Sequence, residues 1–186
     1  MQTNLYFVRH AHSIYTPDEI NRPLSESGIA DVKRVAECLF GQRIDTVISS
    51  PYKRAIQTIE AVAESVDKEI IVMEDFRERQ LSETSVDDFQ FAVSKLWSNP
   101  AFSWKGGESN DTAQDRGIKA TFEVLERYMG KNVVIGMHGN LMVLIMNYFD
   151  DRFDYTFWRN LTMLDVYKLT FEARKLLFVE RLWKQD

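Results

Sequence analysis

The chain has 186 residues, 45% of them hydrophobic, and this length and composition suit one globular domain spanning residues 1–186. The formal net charge of -5 argues against a general nucleic-acid surface, so any basic cluster should be a local anion pocket. Cys38 is the only cysteine, the N-terminus lacks a signal-peptide pattern, and no apolar stretch is long enough to span a bilayer. We therefore expect a soluble cytoplasmic protein that binds neither nucleic acid nor membrane.

Strand-like and helix-like segments alternate along the chain, which is typical of a sheet covered by helices on both faces. In chain order, the patterns predict a strand at 5–8, a helix at 29–39, a strand at 45–50, a helix at 55–63, a strand at 69–72, a helix at 113–129, a strand at 133–137, a helix at 140–149 and a hairpin-like strand pair at 164–170 and 176–182. Pro51 suits the first turn of the helix that carries Arg54. The chain is thus predicted to be an α/β protein.

The segment at about 76–112 is less regular than the rest of the chain. We interpret it as a mostly helical and loop insertion over the strand ends, the usual place of a lid. Trp97, Phe102 and Trp104 are assigned to packing within this lid rather than to ligand stacking. The sequence Gly106-Gly107-Glu108-Ser109 indicates either a flexible turn or a substrate contact.

Two arginines and two histidines lie where predicted strands end. Arg9 and His10 directly follow the first strand, Arg54 comes shortly after the second, and His138 follows the strand at 133–137. Open α/β sheets build their sites at the carboxyl ends of their strands. We therefore expect these four side chains to meet at one rim of the sheet.

This set of residues suits phosphate chemistry. Guanidinium groups offer forked donors that match phosphate oxygens, so Arg9 and Arg54 can form a clamp. A neutral imidazole can attack phosphorus when an acceptor holds its other ring nitrogen. His10 is the better nucleophile candidate because Arg9 precedes it at the strand end. His138 can then act as a second donor to the phosphate oxygens.

Other interpretations of these residues are less favoured. His10 and His12 could ligate a metal, but no carboxylate pair with ligand spacing accompanies them. A binding module that reads phosphorylated partners without turnover is another possibility, against which the intact His10 and both arginines argue. The role of His12, next to Ser13, stays open between a contact with phosphate or substrate and no such contact. His138 with Gly139 could form only a strand-to-helix turn.

Four motifs together resemble the histidine phosphatase superfamily, which includes phosphoglycerate mutase-like enzymes of its branch 1. They are Leu5-Tyr6-Phe7-Val8-Arg9-His10-Ala11, Leu24-Ser25-Glu26-Ser27-Gly28, Ser49-Ser50-Pro51-Tyr52-Lys53-Arg54-Ala55-Ile56-Gln57-Thr58 and Met137-His138-Gly139-Asn140. The resemblance implies a three-layer α/β/α sandwich with a mostly parallel central sheet. It also implies a phosphohistidine at His10, a clamp of Arg9, Arg54 and His138, and no metal or other cofactor.

The proton donor is predicted from the same resemblance. Phe76-Arg77-Glu78-Arg79 is similar to the family segment that supplies the acid, and Glu78 is our choice. The aromatic and glycine residues that usually follow are missing, so Glu83 is the reserve candidate. We also predict that Ser13, Asn21 and Gly139 contact the substrate.

Hydrolysis is favoured over phosphate migration. Ala11 stands where mutases often have glycine, and comparable mutases carry extra C-terminal sequence after the point where this chain ends at Trp183-Lys184-Gln185-Asp186. We therefore predict a metal-independent phosphomonoesterase acting on a small phosphorylated substrate, with a phosphoglycerate mutase-type phosphotransferase and a non-catalytic phospho-ligand module as alternatives. Sugar phosphates, phosphoglycerates, nucleotides and phosphoproteins all remain open as substrates, and the sequence makes no prediction of oligomeric state.

Overall fold

The structure is a computed structural model that describes residues 1–184, so Gln185 and Asp186 of the predicted chain end lie outside the described residues. Its strands and helices are β1 (Gln2–Arg9), α1 (Glu26–Cys38), β2 (Thr46–Ser49), α2 (Lys53–Ser65), β3 (Ile70–Val72), α3 (Phe89–Ser98), α4 (Asn110–Arg127), β4 (Asn132–Met137), α5 (Gly139–Phe149), α6 (Tyr155–Arg159), β5 (Asp165–Glu172) and β6 (Lys175–Arg181). A short 3-10 turn, Glu74–Phe76, follows β3. No helix within residues 1–184 is long and apolar enough to cross a membrane.

The strands form one sheet in the order β3-β2-β4-β1-β5-β6. The first four strands in this order pair in parallel, whereas β5 runs antiparallel to β1 and β6 antiparallel to β5. The predicted hairpin-like pair is therefore the reversed edge of a mostly parallel sheet. The α/β fold class predicted from the sequence is confirmed.

Alternating residues of β1 supply the two cores. Leu5 and Phe7 pack in one hydrophobic cluster with residues of α4 and α5. Tyr6 and Val8 pack in the other cluster with residues of α1 and α2. Successive strand residues point to opposite faces of a sheet, so the continuous apolar run is required to bury both faces of this central strand. The result is the α/β/α layering that the family resemblance implied.

The central strands β1, β4 and β2 end at the same level. Arg9 pairs in register with Met137, and Ser49 pairs with Gly136. The residues that immediately follow, His10, Ser50 and His138, therefore leave the sheet at one rim. Pro51 was predicted to lie in the first turn of the helix after β2, but this helix begins two residues later, at Lys53. Arg54 lies in its first turn, as predicted.

The 77–109 stretch holds only one regular element, α3, between the 3-10 turn and α4. Trp104 donates from Nε1 to the Ala92 carbonyl at 3.3 Å, and its ring meets Phe102 edge-on at 5.0 Å between centroids. These contacts fit the packing role predicted for the aromatic residues. The lid function of the segment stays a prediction. The short helix α6 was not predicted from the sequence.

Candidate active site

His10, Arg54 and His138 come together at the rim of the sheet. The Arg54 Nε donates to His10 Nε2 at 3.2 Å, and the two imidazole rings lie 5.2 Å apart between centroids. Their exposed fractions are 5%, 3% and 0% for His10, Arg54 and His138. The ends of three separate elements, β1, α2 and β4, thus build one nearly buried cluster.

The imidazole of His10 is held in one orientation by its own backbone neighbourhood. Its Nδ1 lies 2.8 Å from the Ala11 carbonyl oxygen, which can only accept, so Nδ1 carries the hydrogen and the lone pair on Nε2 accepts from Arg54. Burial, together with the positive charge of Arg54, lowers the pKa of His10 to about 3. The ring is therefore neutral near pH 7 and presents a nucleophilic nitrogen toward Arg54.

His138 is fixed from the opposite side. Its Nε2 lies 2.7 Å from the Ser50 hydroxyl, which in turn accepts from the Tyr52 backbone N–H at 3.2 Å. Its Nδ1 is buried and has no partner among the described residues. Burial, and after it the neighbouring His10, holds the pKa of His138 well below its usual value. Both imidazoles are thus uncharged at neutral pH, and the positive charge of the cluster resides on arginines.

Arg9 reaches the cluster along the N-terminus of α5. Its Nη1 donates to the carbonyls of Thr162 at 2.9 Å and Leu161 at 3.2 Å. A Cβ at Gly139 would lie 2.7 Å from Arg9 Nε, so the guanidinium fits only because this residue has no side chain. The Arg9 Nε is buried and has no hydrogen-bond partner among residues 1–184.

A third arginine, which the sequence analysis did not select, completes the positive charge. Arg22 donates to the Ser13 hydroxyl at 3.1 Å and pairs with Glu19 at 2.9 Å. Glu19 also pairs with Arg54 at 3.3 Å and accepts from it through its backbone carbonyl at 2.7 Å. The positive charge of Arg22 contributes to the low pKa of His10. Its position inside an irregular loop between two motifs gave no periodic signal that could have identified it.

Glu78 lies against the start of α5. Its carboxylate accepts from the backbone N–H groups of Leu141 at 3.0 Å, Asn140 at 3.2 Å and Arg79 at 2.8 Å. His138 is the residue that precedes this helix, so the carboxylate and the imidazole share one helix terminus. A carboxylate at this position compensates the unpaired donors and the positive end of the helix dipole.

The reserve candidate Glu83 lies elsewhere. Its side chain is 59% exposed and pairs with Lys105 at 3.4 Å. The Gly106-Gly107-Glu108-Ser109 sequence also has structural partners, because Glu108 pairs with Arg116 at 2.7 Å and with Arg77 at 3.4 Å. Of the two acid candidates, the structure brings only Glu78 to the helix that begins beside His138.

The remaining predicted residues differ in placement. Ser13 is joined to the cluster through Arg22, whereas the Asn21 amide donates to Asp18 at 2.8 Å in an exposed part of the same loop. His12 is exposed and its Nδ1 lies 2.8 Å from the Ser25 hydroxyl that caps α1. Within residues 1–184, no three His, Cys, Asp or Glu side chains are grouped so that they could hold a metal ion.

Comparison with known proteins assigns this arrangement to a family. The model of the histidine phosphatase superfamily (branch 1) matches residues 5–183. The chain belongs to this superfamily. The family prediction made from the four motifs is therefore confirmed, as is the prediction of a metal-independent phosphatase that acts through a phosphohistidine.

This histidine phosphatase is similar to curated proteins of two activities. It is 26% identical over 160 residues to a 2,3-bisphosphoglycerate-dependent phosphoglycerate mutase 2 of Gloeobacter violaceus, covering 76% of this chain and 73% of the mutase. It is 27% identical over 150 residues to phosphoserine phosphatase 1 of Hydrogenobacter thermophilus, covering 72% of this chain and 70% of the relative. Both similarities include most of each chain.

Solved structures show the same fold. The phosphoserine phosphatase of Entamoeba histolytica in complex with 3-phosphoglyceric acid superposes with a TM-score of 0.81, 18% identity and 98% coverage of both chains. The mycobacterial glucosyl-3-phosphoglycerate phosphatase gives a TM-score of 0.77, 18% identity and 97% coverage of both chains. At these identities the likeness concerns the fold of the histidine phosphatase, and its substrate has to be argued from its own residues.

Proposed function

We propose that this histidine phosphatase hydrolyses a small phosphomonoester with His10 as the nucleophile. The observation that carries the proposal is the neutral His10 Nε2 held 3.2 Å from the Arg54 guanidinium. In the proposal, the phosphate oxygens take over the Arg54 donor, and this exchange releases the Nε2 lone pair to attack phosphorus. Arg9, His138 and Gly139 line the opposite side of the phosphate in this proposal, with Arg22 and Ser13 reinforcing the Arg54 side.

The reaction has two steps. In the first, His10 Nε2 forms a bond to phosphorus while the bond from phosphorus to the leaving oxygen breaks, and Glu78 gives that oxygen a proton that it has taken up from solvent or from the substrate phosphate. In the second, the Glu78 carboxylate takes a proton from water, the water oxygen bonds to phosphorus, and the phosphorus–nitrogen bond breaks. Inorganic phosphate leaves, and His10 and Glu78 return to their starting protonation states.

His138 is assigned to the phosphate oxygens rather than to the attack. Ser50 occupies its Nε2, so only the unpartnered Nδ1 is available to the cluster. The Ser50 oxygen accepts from Tyr52 N–H, and its hydroxyl hydrogen can be donated to His138 Nε2. Because a neutral imidazole carries one hydrogen, Nδ1 is then the protonated nitrogen of His138. That hydrogen can bind an equatorial oxygen as charge develops in the transition state.

The compartment and the ligand class follow the sequence predictions. We propose a cytoplasmic protein, since Cys38, the single cysteine of the chain, is not in a disulfide. The cluster holds three arginines, Arg9, Arg22 and Arg54, beside two neutral imidazoles. Their positive charge suits the dianion of a small phosphate ester.

Labelling of the protein tests the nucleophile. Purified protein is mixed with a 32P-labelled phosphomonoester, quenched in alkali and analysed for an acid-labile, base-stable phosphoprotein. Wild type and His12→Ala should both become labelled, because His12 faces Ser25 on the surface. His10→Ala should give no label and should retain less than roughly a hundredth of kcat/KM, a loss of more than about 2.7 kcal/mol in transition-state stabilisation.

Product analysis separates hydrolysis from phosphate migration. With 3-phosphoglycerate as substrate, with and without 2,3-bisphosphoglycerate, a phosphatase releases inorganic phosphate, and a mutase forms 2-phosphoglycerate instead. Label on His10 together with isomer formation at a rate above phosphate release would replace the phosphatase proposal by the mutase alternative. Phosphate-ester binding with neither label nor product would identify a binding module.

A further inference from the structure

A large cavity opens next to Arg9, outside the phosphate cluster. It has a volume of about 590 Å³ and is lined by residues from the first turns of α3 and from α6. This volume lies in the range of small-molecule sites, which is roughly 300–1,000 Å³. Four of the side chains that line it are aromatic, namely Phe89, Phe91, Tyr155 and Trp158.

Arg9 joins this cavity to the phosphate cluster. Its guanidinium lines the cavity and lies against Gly139, the residue after His138. The carbonyl of Leu161, another residue of the cavity wall, accepts from Arg9 Nη1 at 3.2 Å. Arg9 is therefore shared by the phosphate cluster and the cavity wall, which places the cavity beside the phosphate of the proposed reaction.

The walls combine aromatic rings with the polar side chains of Arg9, Gln90, Ser94 and Arg159. Tyr155 and Trp158 stack at 5.8 Å with an interplanar angle of 14°, and Phe89 faces Trp158 at 6.4 Å. Phe89 and Phe91 are 53% and 59% exposed. Helix α3 is capped by the Asp88 side chain, and the Phe91 ring lies 6.4 Å from the Trp104 ring between centroids. A ring between Phe89 and Phe91 would remove their apolar surface from water and gain edge or stacked contacts.

The charge of the cavity is also one-sided. Arg9 lies at its inner end and Arg159 at another part of the wall, 5.9 Å from the Tyr155 ring, whereas none of the residues that line it is acidic. The charge of the cavity therefore suits an anionic ester, and the four rings favour an ester with an aromatic portion.

We propose that this cavity binds the leaving group and that the enzyme selects phosphomonoesters whose alcohol carries an aromatic ring. The inference rests on the proposed hydrolysis at His10. It assigns substrate selection to α3 and α6, which lie outside the four motifs of the family resemblance.

The test compares two alkyl esters that differ only in the ring. 3-Phenylpropyl phosphate and propyl phosphate have primary alkoxide leaving groups of nearly the same basicity, so the chemical step makes the same demand on both. Burying a phenyl ring in an aromatic pocket should raise kcat/KM for the phenylpropyl ester by roughly 10- to 100-fold. The quantity to follow is the ratio of the two kcat/KM values.

Variants locate the effect. Phe89→Ala and Phe91→Ala should each lower the ratio by about 5-fold or more, whereas Phe40→Ala, a variant at an aromatic residue that is 89% exposed outside the cavity, should leave the ratio unchanged. Because Phe89 and Phe91 are more than half exposed, both variants should fold, which thermal unfolding would verify. A wild-type ratio near one, or equal ratios in all four proteins, would overturn the inference while phosphate release and label on His10 still support the proposed function. Release from neither ester, with His10 unlabelled, would overturn both.

Discussion

Removal of the buried imidazole at His10 should make the protein more resistant to acid. His10 is 5% exposed, and burial followed by the charge of Arg54 lowers its pKa to about 3. In the unfolded chain the same ring has a pKa of about 6.5. Between these values the unfolded state binds a proton that the folded state does not bind, so the free energy of unfolding decreases as the pH falls through this window.

The size of this effect follows from the two pKa values. Each pH unit below the unfolded pKa costs about 1.4 kcal/mol until the folded pKa is reached. From pH 7.5 to pH 5 the loss due to His10 is therefore about 2 kcal/mol, a large fraction of the stability of a typical domain. Glutamine at this position is uncharged throughout, so His10→Gln lacks this component, whatever its stability at pH 7.5.

Urea unfolding of both proteins at pH 7.5, 6, 5.5 and 5 measures the effect. The difference in unfolding free energy between His10→Gln and wild type should shift in favour of the variant by about 2 kcal/mol across this range. Phe40→Ala is the control, since it removes no titratable group and its difference from wild type should stay constant. A difference for His10→Gln that does not change with pH would refute the claim that His10 is neutral and buried in the folded protein.

Three further predictions concern the chemistry. Glu78→Gln should slow propyl phosphate hydrolysis far more than para-nitrophenyl phosphate hydrolysis, since nitrophenolate hardly needs a proton, and Glu83→Gln should behave like wild type; the opposite pattern assigns the acid to Glu83. Ser50→Ala should lower kcat/KM about 10-fold, because it removes the hydrogen bond that orients His138. Ser49→Ala is the control and should leave kcat/KM unchanged, since the buried Ser49 hydroxyl has no partner among the described residues. Equal losses in the two variants would refute the positioning role of Ser50. Chelator treatment should leave the rate unchanged, and vanadate should inhibit competitively. A stoichiometric metal whose removal abolishes activity and whose return restores it would contradict the metal-independent mechanism.

The arrangement of the rim could be predicted from the sequence because its determinants are local. A buried strand ends where its apolar run ends, and parallel neighbours in register carry their next residues to the same level. Arg9 pairs in register with Met137, so His10 and His138 leave the sheet side by side. The order of the strands, with β4 between β1 and β2, could not be predicted from the sequence and is known from the structure.

Other parts of the site depend on contacts that no periodicity encodes. Arg22 and Glu19 lie in an irregular loop, and their partnership with Arg54 comes from the path of that loop across the cluster. The cavity is formed by α3 and α6, which are far apart in sequence, and its aromatic residues follow no strand or helix motif that distinguishes a ligand site from a core. Such features become visible only when both helices are placed over the rim.

The burial that lowers the acid stability of this protein also prepares His10 for the nucleophilic role that we propose for it. A histidine in water at pH 6 would be largely protonated and would repel the arginines needed to bind phosphate. In the cluster, burial and the charge of Arg54 remove the proton from His10, while Ala11 accepts from Nδ1 and leaves the lone pair on Nε2. The energy that disfavours the imidazolium is already present before substrate binds, so the attacking nitrogen needs no separate base. Replacing Arg54 with a neutral residue would therefore weaken phosphate binding and raise the pKa of His10 together, which links binding and activation through one side chain.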